Sequence, residues 1–463
     1  MANIYAKYVK EQLNEEEECK IDWFDYQDDG NKLSEFVVTE KMVEQAINET
    51  KQKHTKDPYG LTTFMIAKIK QEIIPQITSI TKQSFDLGHV SEKLKDIHIS
   101  PIPKPNKDKQ DPSKIRPINL TSIVLKIMER VSKVQIDEHL EENGILSKAQ
   151  DGFRTNRSCI TTLTKIGQEM RKNLAQKKGG VLLLCDFSKA FDKVLLLEMM
   201  KELYKCGIVG KAAQWLQSSL YDNHFRVRIG EAISDKQKLT SSIKQGSVLA
   251  PKLFIIFINS LAKELEKEEI EFYFFADDLS ILCQIDSDNK AHKIHRALEI
   301  SEQWSIKNKL LFNKEKCVII KIGTYAKIEE NFMLYNYQLQ TEKEGRLLGL
   351  TITGETNDPY VSARKKARGW FLTAYHKLKK IFKKARYKII KIVYNAYYLS
   401  KALYGSEIYS NYEPDFTVYK DKKPQFLRTG DHLYRQLFSQ KRPNLKEKEK
   451  LKSGLAFFYR PKL

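Results

Sequence analysis

The chain has 463 residues with 41% hydrophobic content, too long for one ordinary core and long enough for about three subdomains. Lys and Arg outnumber Asp and Glu by 79 to 59, a net charge of +20; the first 50 residues carry −8, which leaves +28 on the main body and points to a polyanionic partner. No long apolar run or signal-like core occurs, so the expectation is an intracellular protein, nuclear or cytoplasmic, with no membrane partner; six scattered cysteines without CxxC or zinc-finger spacing exclude a disulfide framework and a zinc module.

In chain order, "VVTEKMVEQAINET" (37–50) has a capping Thr39 and helical apolar spacing, and a helical region runs to about residue 88. Residues 96–121 begin as an alternating strand, turn through a Pro/Lys/Asp-rich loop and resume at "IRPINL", which predicts a basic hairpin. "SIVLKIMERVSKVQIDEHL" is helical, and "AQDGFRTNRSC" is a glycine-and-arginine loop leading into another helix. In "GGVLLLCDFSKAFDKV" the uninterrupted apolar run Val181 to Cys185 predicts a strand buried on both faces, ending at Asp186. "FRVRI" (225–229) alternates as a half-buried strand, and "IKQGSVLAPKLFIIFINSLAKELEKE" gives a Gly-Ser turn and a strongly apolar helix with Pro in its first turn.

Next, "FYFFADDLSIL" (272–282) reads as two short strands, 272–276 and 279–283, with Asp277 and Asp278 as a two-residue tip. Like charges side by side repel, so such a tip is either an ordinary exposed turn or a site whose penalty a cation offsets. An amphipathic helix through Trp304 and a strand at "KCVIIKIG" follow. Residues 364–391 hold 12 Lys or Arg and no acid, interleaved with Trp370, Phe371, Tyr375, Phe382 and Tyr387, which reads as a nucleic-acid-facing helix with a solvated basic face as the alternative. Strands and helices mix without βαβ alternation, so the fold class expected is α+β, a sheet covered by helices on one face. If the strands around Asp186, Asp277 and Asp278 are neighbours, three carboxylates converge at one edge. Two Mg²⁺ ions bridging them would turn that repulsion into a phosphate-handling centre, the electrostatic need of phosphoryl transfer.

Seven ordered stretches carry a resemblance: "ISPIPKPNKDKQDPSKIRPINLTSIVLKIMERV", "AQDGFRTNRS", "LLLCDFSKAFDKV", "KQGSVLAPKLFIIFIN", "FFADDLSIL", "LLFNKEKCVII" and "RLLGLTIT", with a further echo at "YLSKALYGSEIYS". Together they resemble the reverse transcriptase domain of non-LTR (LINE-type) retrotransposons. The resemblance implies a right-hand polymerase with an antiparallel palm sheet backed by helices. Its expected parts are an acidic N-terminal segment (1–50), fingers (51–180), palm (181–340), and a primer grip, basic helical thumb and C-terminal extension (341–463).

It also implies residue roles. Asp186, Asp277 and Asp278, with the backbone carbonyl of Phe187, would hold two Mg²⁺ ions, Mn²⁺ being the substitute. Phe191 would bar a ribose 2′-OH, with core packing as the alternative. Lys104 and Arg116 would close on the incoming triphosphate, with structural salt bridges as the alternative. Gln245 and Gly246 would lie against nucleotide and template, and Lys316 would protonate pyrophosphate unless it is a surface lysine. Leu348 and Gly349 resemble the primer grip, Arg154 and Arg157 the template-contacting loop or else solvated arginines. Lys379, Lys380, Lys383 and Lys384 would track nucleic acid.

Ala250 stands where the family usually has Ser before Pro, and "KHTKDPYGLT" matches the fingers entry only loosely. The implied activity is RNA-directed DNA polymerisation from an RNA template, a DNA or RNA primer and deoxynucleoside triphosphates. Residues 1–95 are too short for an endonuclease, so one is expected in trans or is missing from this chain. The alternatives are a group II intron or retroplasmid type reverse transcriptase with a maturase role, and a domesticated RNA-binding relic.

Overall fold

The computed structural model describes residues 2–11, 13, 31–103, 115–188, 190–239, 243–244, 246–285, 291–323, 329–356, 358–381 and 392–409. The chain divides into two compact units, one formed by residues 1–162, 181–319 and 329–340, the other by 163–180, 320–328 and 341–463. The expected fingers and palm segments lie mainly in the first unit.

That unit contains two sheets. In one, β1 (Asp96–Pro103) pairs antiparallel with β2 (Ile115–Leu120), from His98 opposite Leu120 to Pro103 opposite Ile115, as the basic hairpin pattern predicts. Residues 104–114 between them lie outside the described residues. In the other sheet, the central strand β3 (Gly180–Cys185) is buried at every position, in keeping with its unbroken apolar run.

The first sheet continues through β4 (Asn223–Ile229), which runs parallel to β1 with Asp96 opposite His224. Two short strands, β5 (Ala232–Ile233) and β6 (Gln237–Leu239), add to β4 antiparallel. Phe225 and Val227 face inward and Arg226 outward, the alternation the sequence shows. The helix Ala2–Glu11 sets Tyr5 and Ala6 against Ile97, Ile99, Phe225 and Val227. In the second sheet, β3 neighbours β8 (Asp278–Gln284), which pairs antiparallel with β7 (Phe272–Phe275).

Helices pack on these sheets because their apolar stripes have nowhere else to go. Ala250–Lys267, opened by Pro251, buries Leu253 through Ile258 without interruption. His292–Lys307 buries Ile294, Leu298 and Trp304 on one stripe. Thr39 caps Glu40–Asn48 by accepting the Met42 N–H at 3.3 Å, as its sequence context predicts.

In the second unit, the strands Glu344–Leu347 and Leu350–Thr353 form a hairpin, followed by the basic helix Val361–Ile381. Trp370 of that helix lies 6.0 Å from the Tyr397 ring, and the Lys401 ammonium sits over both, 4.4 Å and 4.0 Å from the two centroids. Trp370 therefore packs within its own unit. The architecture is mixed α and β with antiparallel-rich sheets.

Candidate active site

Asp186 follows the last residue of β3, so a buried strand delivers its carboxylate to the sheet edge. Its position is fixed by the 311–317 segment. The Asp186 carbonyl accepts the Asn313 N–H at 2.7 Å, and the Ser188 N–H donates to the Leu311 carbonyl at 2.9 Å. The Phe187 and Phe312 rings stack at 4.1 Å. This stitching carries Lys316 to Asp186, where its ammonium donates to Oδ2 at 2.6 Å. Lys316 is thus paired with the first aspartate while its side chain stays largely exposed.

The acidic hairpin differs from expectation by one position. Phe275 pairs with Asp278, so the two turn residues are Ala276 and Asp277, and Asp278 opens β8. Both carboxylates feel the charge of Asp186. Burial pushes the Asp277 carboxyl up, and the negative charge of Asp186 adds to that, opposed by a backbone hydrogen bond and Lys316. Asp278 is pushed up to about 6, first by burial, then by Asp277 and Asp186, with Lys316 again opposing.

Asp277 and Asp278, whose proton affinity burial and the charge of Asp186 raise, are short of positive charge. Among the described residues no group of three or more His, Cys, Asp or Glu side chains is arranged as a ready metal cage. Lys316 occupies one Asp186 oxygen. The donor set nevertheless fits Mg²⁺ or Mn²⁺, since hard carboxylate oxygens suit those ions and their mutual repulsion is what a divalent charge offsets. Asp186, Asp277 and Asp278 are the residues that would hold such ions.

The other predicted residues fall into three groups. Phe191 is half-buried, its ring stacked on Phe254 at 4.9 Å and its carbonyl accepting the Ile243 N–H at 3.0 Å, so one side of the ring packs into the core. Leu348 and Gly349 form a tight turn with φ of +45° and +87°, and the Leu348 carbonyl accepts the Tyr404 hydroxyl at 2.6 Å. Gly246 has φ +116°, and a Cβ there would meet the Asn119 carbonyl oxygen at 2.6 Å, so glycine is required by a close approach to β2.

Of the arginine pair, Arg154 is turned inward and Arg157 is partly exposed. Arg154 donates to both Glu141 carboxylate oxygens, at 2.8 and 2.6 Å, and to the Ser147 carbonyl at 2.7 Å, and its side chain is 5% exposed. Arg157 donates to Asp151 at 2.9 Å and to the Lys148 carbonyl at 2.8 Å. The Arg154 fork is engaged in holding its own loop. Lys104, Gln245, Lys383 and Lys384 lie outside the described residues, as do the side chains of Arg116, Lys379 and Lys380.

Residues 102–352, more than half of the chain, match the family model described as reverse transcriptase (RNA-dependent DNA polymerase). The chain belongs to the reverse transcriptase family. A probable RNA-directed DNA polymerase from transposon X-element of Drosophila melanogaster is 27% identical over 219 residues, which cover 45% of this chain and 24% of that protein. The RNA-directed DNA polymerase from mobile element jockey of the same organism is 22% identical over 301 residues, 62% of this chain and 32% of that protein. The chain therefore spans about a quarter to a third of these relatives' length. A solved telomerase from Candida albicans, in complex with a TWJ fragment of telomeric RNA, shares 12% identity and covers 79% of this chain and 68% of its own at a TM-score of 0.45, a loose likeness. The motif resemblance to the reverse transcriptases of non-LTR elements is borne out.

Within this reverse transcriptase domain, two buried polar residues escaped the sequence reading. Glu129, 2% exposed, accepts the Ser247 hydroxyl at 2.9 Å and the Val248 N–H at 2.8 Å, and so fixes the loop that follows Gly246. A glutamate amid the apolar residues of "IVLKIMERV" was the available signal. Gln150, also 2% exposed, contacts the acidic turn itself and had no signal beyond the motif containing it.

Proposed function

We propose that the chain is an RNA-directed DNA polymerase of a non-LTR retrotransposon, extending a primer 3′-OH on an RNA template with deoxynucleoside triphosphates in a right-hand fold of fingers, palm and thumb. The observation that carries this reading is the placement of Asp186 directly after a buried strand and of Asp277 and Asp278 at the turn into a neighbouring strand of the same sheet, inside the matched family region. Asp186, Asp277 and Asp278 would hold two Mg²⁺ ions. Bound there, the pair supplies Lewis-acid activation of the 3′-OH and neutralisation of the departing pyrophosphate.

The chain's own residues do the rest. Lys316, whose ammonium pairs with Asp186, would deliver a proton to the leaving pyrophosphate. Phe191, whose ring stacks on Phe254, would bar a 2′-OH by bulk. Lys104, Arg116 and Gln245 would bind the triphosphate and template base, Arg157 the template, and Leu348 with Gly349 the primer end. Lys379, Lys380, Lys383 and Lys384 would follow the duplex backbone. Any nick that exposes the primer is taken to come from an endonuclease outside the described residues, and the site of action is nuclear or cytoplasmic. Among the described residues no helix is long and apolar enough to cross a membrane.

The test is primer extension on poly(rA) with oligo(dT), dTTP and Mg²⁺, comparing the intact protein with Asp277→Asn. Incorporation that is lost in the variant is the expected result. Equal incorporation by both, or none by either, would contradict the polymerase reading and leave RNA binding by the basic body as the remaining activity.

A further inference from the structure

The turn that carries the carboxylates is built against its own sequence. Ala276 holds φ +57°, a left-handed conformation that strains an alanine unless its surroundings enforce it. Glycine or asparagine is the residue such a two-residue hairpin turn favours at its first position. What enforces the conformation lies 126 residues earlier in the chain. The Gln150 side-chain oxygen accepts the Ala276 N–H at 3.0 Å, and its amide nitrogen donates to the Ala276 carbonyl at 3.3 Å. The same oxygen accepts the Gly152 N–H at 2.7 Å, so the amide's orientation is set by two donors aimed at one end of it.

Backbone pairing holds Gln150 in place. The Phe274 N–H donates to the Ala149 carbonyl at 2.9 Å, and the Asp151 N–H donates to the Phe274 carbonyl at 2.9 Å. Gly152 completes the fit, because a Cβ there would overlap the Ala276 backbone nitrogen, with Ala276 Cα only 2.9 Å away. A buried amide with its oxygen and nitrogen both engaged on one strained residue does more than fill space, since an unmade bond here would leave a polar group stranded.

We propose that Gln150 is a positioning residue for the catalytic hairpin: by gripping the Ala276 N–H and C=O together, it sets the backbone direction in which Asp277 and Asp278 leave the turn toward Asp186. This rests on the reading of those carboxylates as the reactive centre. Buried at 2% exposure, Gln150 acts through the turn, where a displacement of about 1 Å is enough to cost roughly a hundredfold in rate. Glycine at 276 would remove the strain but free the turn. Alanine held by a clamp gives one rigid geometry.

The experiment uses the full chain with Gln150→Leu, which removes both ends of the grip, and Gln150→Glu, which keeps the acceptor and loses only the donor. Three readouts are taken: hydrogen exchange of the 274–278 amides, binding of Mn²⁺ alone by electron paramagnetic resonance, and the split between kcat and KM for dTTP on poly(rA)/oligo(dT). The inference predicts exchange faster by about tenfold or more in Gln150→Leu, Mn²⁺ binding weakened about tenfold, and kcat reduced about 10- to 100-fold with KM for dTTP within about twofold, Gln150→Glu lying between. Unchanged exchange and Mn²⁺ binding in a folded Gln150→Leu protein would overturn it, as would a loss carried wholly by KM. If the wild type does not polymerise, the polymerase reading fails, while exchange and Mn²⁺ binding still decide the role of Gln150.

Discussion

Two hairpins in this chain solve the same backbone problem in opposite ways. Each turns in two residues, Ala276–Asp277 between Phe275 and Asp278, and Leu348–Gly349 between Leu347 and Leu350. In the second, both turn residues have positive φ, Gly349 bears the larger angle of +87°, and one hydroxyl from Tyr404 holds the Leu348 carbonyl. There the glycine carries the larger angle at no steric cost, while Leu348, like Ala276, is a positive-φ residue held by a distant contact. In the first, no glycine is present, and the left-handed Ala276 is held by Gln150 and crowded by Gly152 from a distant loop. The turn that carries carboxylates takes its shape from tertiary contacts, and strain of that kind tends to accompany function.

The largest effect that separates the two turns comes from adding one methyl group to the glycine packed against the first and to the glycine within the second. Gly152→Ala drives a Cβ into the Ala276 backbone and should cost about 2–3 kcal/mol in urea unfolding, with loss of polymerisation. Gly349→Ala meets the Tyr404 ring at 3.0 Å in a positive-φ position and should cost about 1–2 kcal/mol. An equal, small cost at both would erase the contrast.

A smaller effect is pH-dependent. With Asp278 pushed up to about 6 from the ordinary 3.8, the folded state without divalent ions holds that proton more tightly than the unfolded chain. Stability should therefore fall as pH rises through this window and level off above it. Asp278→Asn should match the wild type below about pH 4 and exceed it by about 1 kcal/mol above pH 6, a figure discounted for partial solvent exposure. Thermal melts across that range would show it, and added Mg²⁺ should erase the difference; parallel curves for the two proteins would be the contrary result.

The smallest effect is Ala276→Gly, where lost strain and gained chain entropy nearly cancel, leaving less than about 1 kcal/mol of change. Its value lies in exchange measurements. The 274–278 amides should open more readily than in the wild type although the melting temperature hardly moves, and unchanged exchange would mean that alanine contributes no rigidity.

Much of this was readable from the chain itself. The unbroken apolar run from Val181 to Cys185 fixed a strand buried on both faces, and its end placed Asp186 at an edge. Thr39, the basic hairpin and the alternation of Phe225 to Val227 followed from local chemistry. The one-residue offset of the acidic turn was not readable, because turn preference favours Asp over Ala while the register is fixed by the 149–151 segment lying against Phe274. Arg154 was likewise opaque. An arginine in a loop looks solvated until Glu141, thirteen residues earlier on a helix, closes on it.

The central claim is that Asp186, Asp277 and Asp278 form one cation-dependent centre. Single-turnover extension by Asp186→Asn, Asp278→Asn and the double variant measures that unity. Each single change should lower the rate at least about a hundredfold, and the double should fall no more than about threefold below the worse single, because parts of one unit are not additive. A double variant whose loss equals the product of the two singles, or either single at the wild-type rate, would contradict it.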